Sequence, residues 1–264
     1  MLGNGPTIEI APNEVHLWFV FTEKIQDDNL IKDYMKLLNP EEVARHDRFV
    51  FQKDRKQYAI TRALVRTVLS KYINQINPEG WEFIANEYGK PEIRPDMLPF
   101  ALKFNISHTN KMIVLAVSHS HEVGVDVESY KRKISSDELA EYSFSESEYR
   151  QLKQINPVDF RERFFDYWTF KEAYIKACGM GLYIPLKSFS FTFSSSNKVS
   201  ILFEKQRQDE PQDWKFWQMK VGHEFTVSLA VKSEIAKAHY SILTRQYVPL
   251  ENYMLVESTF SMES

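Results

Sequence analysis

Apolar positions along the chain follow two different periods, and they alternate in blocks. Residues 15–21 (VHLWFVF) form a short apolar run of strand length, whereas 27–38 carry apolar residues at helical spacing and stop at Asn39-Pro40, where a helix cannot continue. From Glu41 the pattern turns helical and basic. Residues 81–85 alternate like a strand, 86–91 (NEYGKP) read as a turn, and 104–108 as a polar bend before a strand at 112–117. Strict alternation returns at 123–128. Residues 136–153 and 159–178 are helical by spacing and by their Ser and Asp starts, and the second stops at Cys178-Gly179-Met180-Gly181. Residues 188–193, 199–203, 214–221 and 225–231 then read as an antiparallel strand series.

One internal echo stands out. A charged helix followed by strands ending in Leu115-Ala116-Val117 has a counterpart in the helix at 159–178 and strands ending in Leu229-Ala230-Val231. The pattern predicts an α+β protein of two similar halves meeting near 118–123: residues 1–120 first, 121–248 second, and a loose, aperiodic tail at 249–264.

Composition narrows this picture. A length of 264 residues with 43% hydrophobic positions can bury one or two real cores. A single Cys excludes a disulfide framework and a Cys-based zinc site, and suits the cytosol. The first residues, MLGNGP, lack the basic and apolar regions of a secretory signal, and no apolar run approaches membrane-spanning length. Eight glycines are about 3% against a typical ~7%, and neither glycine-rich phosphate motif is present. Phosphates would therefore meet side chains and a metal rather than a glycine cradle. The net charge of -3 conceals a segment, 45–66, with seven basic residues against two acidic ones, a local +5. Such a segment is either a solvated helix face or a phosphate-binding surface.

In an extended strand Gly124, Asp126 and Glu128 share one face and Val123, Val125 and Val127 the other. Paired carboxylates beside a glycine suit a hard cation such as Mg²⁺, or they form an exposed acidic strand face. Trp168, Glu172 and Lys176 lie four apart and form one helix stripe flanked by Lys171; Glu172 and Lys176 make either an i,i+4 ion pair or a general base and a phosphate partner. Asn105, Ser107 and His108 offer amide, hydroxyl and imidazole groups to an anion, or serve as turn residues. Lys90 is held in a stiff Gly-Lys-Pro turn, and Cys178 reads as a small buried residue rather than a nucleophile.

Taken in order, Tyr88-Gly89-Lys90-Pro91, Phe104-Asn105-Ile106-Ser107-His108, Val123-Gly124-Val125-Asp126-Val127-Glu128 and Trp168-Thr169-Phe170-Lys171-Glu172-Ala173 with Lys176, Gly179 and Gly181 resemble the surfactin-type 4'-phosphopantetheinyl transferases, in their W-x-x-K-E-A group. The resemblance spans about residues 39–193. It implies transfer of the phosphopantetheine arm of coenzyme A to a serine of an apo acyl or peptidyl carrier protein, with Mg²⁺ at the pyrophosphate and a site between two α+β halves. By resemblance Asp126, Glu128 and Glu172 hold the metal, Glu172 and Lys176 are catalytic, and Arg45, Arg62, Lys90, Ser107, His108, Lys171 and Lys176 meet coenzyme A. Glu42 stands where some relatives carry a basic residue. A cytoplasmic monomer without nucleic-acid or membrane partners is expected. The rival readings are a Mg²⁺-dependent phosphohydrolase on the same carboxylates and a nucleic-acid binder using the basic segment, the latter disfavoured by the negative total charge.

Overall fold

The structure, a computed structural model, describes residues 7–205, 207–233 and 239–264. Its first half is built on β1 (Glu14–Phe21), β4 (Leu102–Thr109) and β5 (Met112–His119), with helices α1 (Asp28–Lys36), α2 (Pro40–Arg48) and α3 (Gln52–Tyr72) and a small hairpin, β2 (Phe83–Ala85) and β3 (Pro91–Ile93). The second half contains β6 (Val123–Ser129), α4 (Ser136–Ser143), α5 (Glu146–Gln154), α6 (Pro157–Cys178), the hairpin β7 (Phe189–Phe193) and β8 (Val199–Phe203), then β9 (Trp214–Val221) and β10 (Phe225–Lys232). The chain ends in β11 (Ser241–Tyr247), β12 (Tyr253–Val256) and β13 (Phe260–Glu263).

Two sheets result, of order β12-β11-β1-β5-β4 and β13-β9-β10-β6. Their central strands are apolar on both faces because both faces are covered. In β1, Trp18 and Val20 pack with Ile60, Leu64 and Val68 of α3, while Val15, Leu17 and Phe19 pack against the second sheet. There Val123, Val125 and Val127 join Val227, Leu229 and Val231 in one inter-sheet core. Phe164, Phe165, Phe170 and Tyr174 of α6 fill a third core on the outer face of the second sheet. The order α3, sheet, sheet, α6 is the α+β arrangement of two similar halves.

Several boundaries differ from the periodicity. The basic helix is two helices: Asn39 and Glu42 form a capping box that starts α2, and the chain is extended at Phe49 and Phe51 before α3 begins. The stretch 136–153 is likewise broken at Phe144, because Ser145 and Glu148 form a second capping box that restarts the helix as α5. The expected polar bend at 104–108 lies within β4. The tail is not loose: β12 pairs with β11 in the first sheet and β13 with β9 in the second. β11, expected with the second half, pairs in parallel with β1. Neither half is therefore one continuous stretch, since the chain returns to the first sheet at Ser241. Among the described residues no helix is long and apolar enough to cross a membrane.

Candidate active site

The site grows out of the contact between β6 and α6. The valines of β6 point into the inter-sheet core, so Gly124, Asp126 and Glu128 face the helix. A Cβ at Gly124 would lie 2.1 Å from the Ala173 carbonyl oxygen and 2.3 Å from the Ala177 nitrogen. Only glycine lets the helix backbone lie directly on the strand. With Ala173 and Ala177 seated there, Lys176 reaches the neighbouring Asp126.

Asp126 and Glu128 are 5% and 6% exposed, so the reading as an exposed acidic face is excluded. The Lys176 ammonium lies 2.5 Å from Asp126 Oδ1 and donates to Ser107 Oγ at 3.0 Å; Ser107 in turn donates to the same Oδ1 at 2.8 Å. Arg132 pairs with Glu128. Each carboxylate thus has one oxygen engaged, while Asp126 Oδ2 and Glu128 Oε2 are buried without a hydrogen-bond partner. A buried polar atom left so costs roughly 1–3 kcal/mol. Burial, and then the charge of Asp126, push the carboxyl groups of Glu128 and Glu172 up to about 7. Three carboxyl groups repelling one another in a low-dielectric setting favour a cation between them. Among the described residues, however, no three acidic, His or Cys side chains stand close enough to hold a metal on their own. Asp126, Glu128 and Glu172 do not form a closed cage, and Lys176 and Arg132 each engage an oxygen of the strand pair. The two orphaned oxygens do fit Mg²⁺, which commonly takes one or two carboxylates and completes its shell with phosphate oxygens and water.

His108 follows Ser107 on β4 and is exposed. Gln57 of α3 donates to its Nδ1 at 2.7 Å, so Nε2 carries the ring proton. Desolvation around the ring, and then the Lys176 charge, lower its pKa and so favour the neutral imidazole. Arg62 donates from Nε to Glu42 Oε1 at 2.6 Å and lies over the Phe83 ring. Arg66 is fully buried and binds Glu42 Oε2 at 2.7 Å and the carbonyls of Pro78 and Trp81 at 3.0 Å. Arg55 donates to the Phe49 carbonyl at 2.8 Å, and exposed Arg45 lies over Tyr58. The +5 segment therefore divides: Arg45, Arg48, Lys53 and Arg55 are exposed, whereas Arg62 and Arg66 turn inward. Arg66 and part of Arg62 neutralise Glu42, an acid just outside the counted window.

Two expected coenzyme contacts, Lys171 and Lys90, already have protein partners, and the first lies away from the seam. Lys171 is 0% exposed and forms an ion pair with Glu148 at 2.8 Å, with further bonds to the Leu186 and Phe189 carbonyls. It faces the aromatic core, on the opposite side of α6 from Lys176, and fastens α5 to α6. Its adjacency to Glu172 in the motif is therefore no guide to its role: neighbours on a helix point about 100° apart. Lys90 pairs with Glu122 at 2.8 Å and donates to the Ala177 carbonyl at 3.1 Å, tying the first half to the end of α6; it also lines a cleft of about 350 Å³. Burial pushes the Cys178 thiol up to about 11, as suits a residue that is not a nucleophile. His119 stacks on Phe100, and His121 meets Tyr240 edge-on.

The sequence reading missed Gln57 and Arg132. The run Lys131-Arg132-Lys133 just beyond the carboxylate strand was a visible signal for the second; nothing in the sequence pointed to the first.

Residues 122–230 match the model of the 4'-phosphopantetheinyl transferase superfamily, and residues 27–120 that of the 4'-phosphopantetheinyl transferase N-terminal domain. Similar proteins include the 4'-phosphopantetheinyl transferases Sfp of Bacillus subtilis (34% identical over 205 residues, 78% of this chain and 87% of Sfp), HetI of a Nostoc species (30% over 181, 69% and 75%) and gsp of Aneurinibacillus migulanus (37% over 166, 62% and 64%). The chain belongs to the 4'-phosphopantetheinyl transferase family. Within that family it is of the Sfp type, an enzyme that transfers 4'-phosphopantetheine to carrier proteins.

Proposed function

We infer that the enzyme takes the arm from coenzyme A, joins it to a serine of an apo acyl or peptidyl carrier protein, and releases adenosine 3',5'-bisphosphate. The observation that carries this reading is the convergence on one seam of two orphaned carboxylate oxygens, Glu172, Lys176 and a neutral histidine. Asp126 and Glu128, with Glu172 closing in from α6, would hold Mg²⁺, which on binding neutralises pyrophosphate charge and stabilises charge developing at the reacting phosphorus.

Glu172 accepts the proton of the incoming serine hydroxyl, and its raised pKa near neutrality suits a general base at working pH. The serine oxygen forms a bond to the phosphorus carrying the pantetheine arm as the bond to the leaving nucleotide phosphate breaks. Lys176, which rests on Asp126 here, donates to the phosphate oxygens as charge moves to the leaving group. His108 Nε2–H, Arg62 and Arg45 bind the 3'-phosphate, with Ser107 as hinge between that end and Asp126. Lys90 keeps one ammonium proton for the nucleotide end. A cytoplasmic monomer fits the lone cysteine and the near-neutral charge.

A phosphohydrolase would use the same carboxylates on water. The experiment that separates the two is incubation of the enzyme with Mg²⁺, coenzyme A and apo carrier proteins, read by intact mass. Gain of one phosphopantetheine arm on the carrier is expected, with Asp126→Asn and Glu172→Gln each at least roughly 100-fold slower but folded. Phosphate release without carrier modification would overturn the reading.

A further inference from the structure

The two sheets meet edge to edge at β4 and β6, yet among the described residues no backbone hydrogen bond joins these strands. In an antiparallel sheet every second N–H of an edge strand points away from its partner. On β6 those groups include Val125 and Val127, and they are met by side chains. Asn105 Oδ1 accepts from the Val125 N–H at 2.9 Å, and two residues along the same face of β4 Ser107 Oγ lies 3.4 Å from the Val127 N–H. Two polar side chains thus replace a missing strand ladder. They do so at the strand that carries Asp126 between those two valines.

Their duties differ. Ser107 touches Asp126 and Lys176 and belongs to the site itself. Asn105 is 7% exposed and, among the described residues, makes no hydrogen bond to Asp126, Glu128, Glu172 or Lys176. Both backbone polar groups of Val125 are engaged, its N–H by Asn105 and its carbonyl by Lys176 at 3.4 Å. The ladder to β10 holds β6 within its own sheet, whereas its other edge, toward the first half, is gripped by these side chains.

We propose that Asn105 is a positioning residue for the transfer reaction: it fixes β6 against the first half and thereby sets the carboxylates relative to the groups on β4 that bind the coenzyme. The inference rests on the functional reading above for its kinetic consequence, but not for its structural one. The expectation from the sequence that Asn105 is a donor to an anion is replaced by an acceptor role toward the protein's own backbone.

The test pairs Asn105→Leu, branched in the same way but without an acceptor, with Asn105→Asp, which keeps one. Hydrogen exchange is followed at the Val125 amide, and transfer is measured against Mg²⁺ and coenzyme A concentration. In the native enzyme Val125 is expected among the protected amides. In Asn105→Leu its exchange should accelerate at least roughly tenfold while the β5 amides stay protected. The Mg²⁺ concentration for half-maximal transfer should rise roughly tenfold, as for other groups that orient metal ligands, with KM for coenzyme A within roughly twofold. Asn105→Asp should restore protection at Val125 and most of the Mg²⁺ response. A fast-exchanging Val125 in the native enzyme, unchanged exchange in Asn105→Leu, or equal defects in both variants would each overturn the proposal. If the native enzyme modified no carrier, the functional reading would fall, while the exchange data would still decide the role of Asn105.

Discussion

Substituting Gly124 by Ala puts the most direct pressure on the link between fold and chemistry. The added Cβ would sit 2.1 Å from the Ala173 carbonyl oxygen, where a carbon–oxygen contact needs about 3.3 Å. The obstacle is the backbone of a 22-residue helix, so no side chain can turn aside to make room. Helix α6 must retreat from β6 by roughly 1 Å. Overpacking of this kind costs about 1–3 kcal/mol, and at about 2–4 °C per kcal/mol the melting temperature falls by roughly 2–12 °C. The catalytic loss is larger, because Glu172 and Lys176 ride on the displaced helix and a 1 Å misplacement costs about 100-fold. The assay is kcat for carrier modification by intact mass, beside a thermal melt. Gly222→Asn serves as control, since Gly222 has a positive φ of 60° that Asn tolerates and open space around it. A Gly124→Ala enzyme within threefold of native turnover, with an unchanged melting temperature, would refute the argument.

Lys171→Met leaves the buried Glu148 without its countercharge, held only by the N–H groups of Ser145 and Phe191, which costs up to about 3–5 kcal/mol; thermal melts without coenzyme should show that loss, and a raised KM for coenzyme A at unchanged stability would return Lys171 to the binding site. The carboxyl of Glu128, held at about 7 against an ordinary 4.5, makes a signed prediction for pH. A raised carboxyl pKa favours the protonated folded form, so its penalty is absent below pH 4.5, grows as pH rises to 7, and reaches roughly 3 kcal/mol above that. Denaturant melts without metal should therefore find Glu128→Gln more stable than the native enzyme at pH 8 but not at pH 4.5, with Mg²⁺ narrowing the gap at pH 8; a gap independent of pH would contradict the burial argument.

What was legible in the sequence, and what was not, follows from the range of the interactions. Gly124, Asp126 and Glu128 were placed on one face by strand alternation alone, and the structure turns that face toward α6. The tail was misread because β12 and β13 are short, and both owe their existence to partners far away in sequence, β11 and β9. Lys171 was misassigned because its motif neighbours are catalytic candidates, whereas its buried partner Glu148 lies on another helix. Glu42 shows the same limit: a charge count over 45–66 cannot reveal that an acid outside the window pairs with both Arg62 and Arg66 and offsets one of their two charges. Asn105, read as a donor, proves an acceptor because the edge of β6 lies beside it, a relation that exists only once the halves are assembled.

A crystal structure of the enzyme with coenzyme A and Mg²⁺ tests the account most directly. It is expected to show Asp126 Oδ2 and Glu128 Oε2 within about 2.0–2.1 Å of the ion, with Glu172 closing on it, Lys176 moved from Asp126 toward the phosphates, and the 3'-phosphate at His108 and Arg62. An ion bound away from Asp126 and Glu128, with those two oxygens still unpartnered, would contradict it.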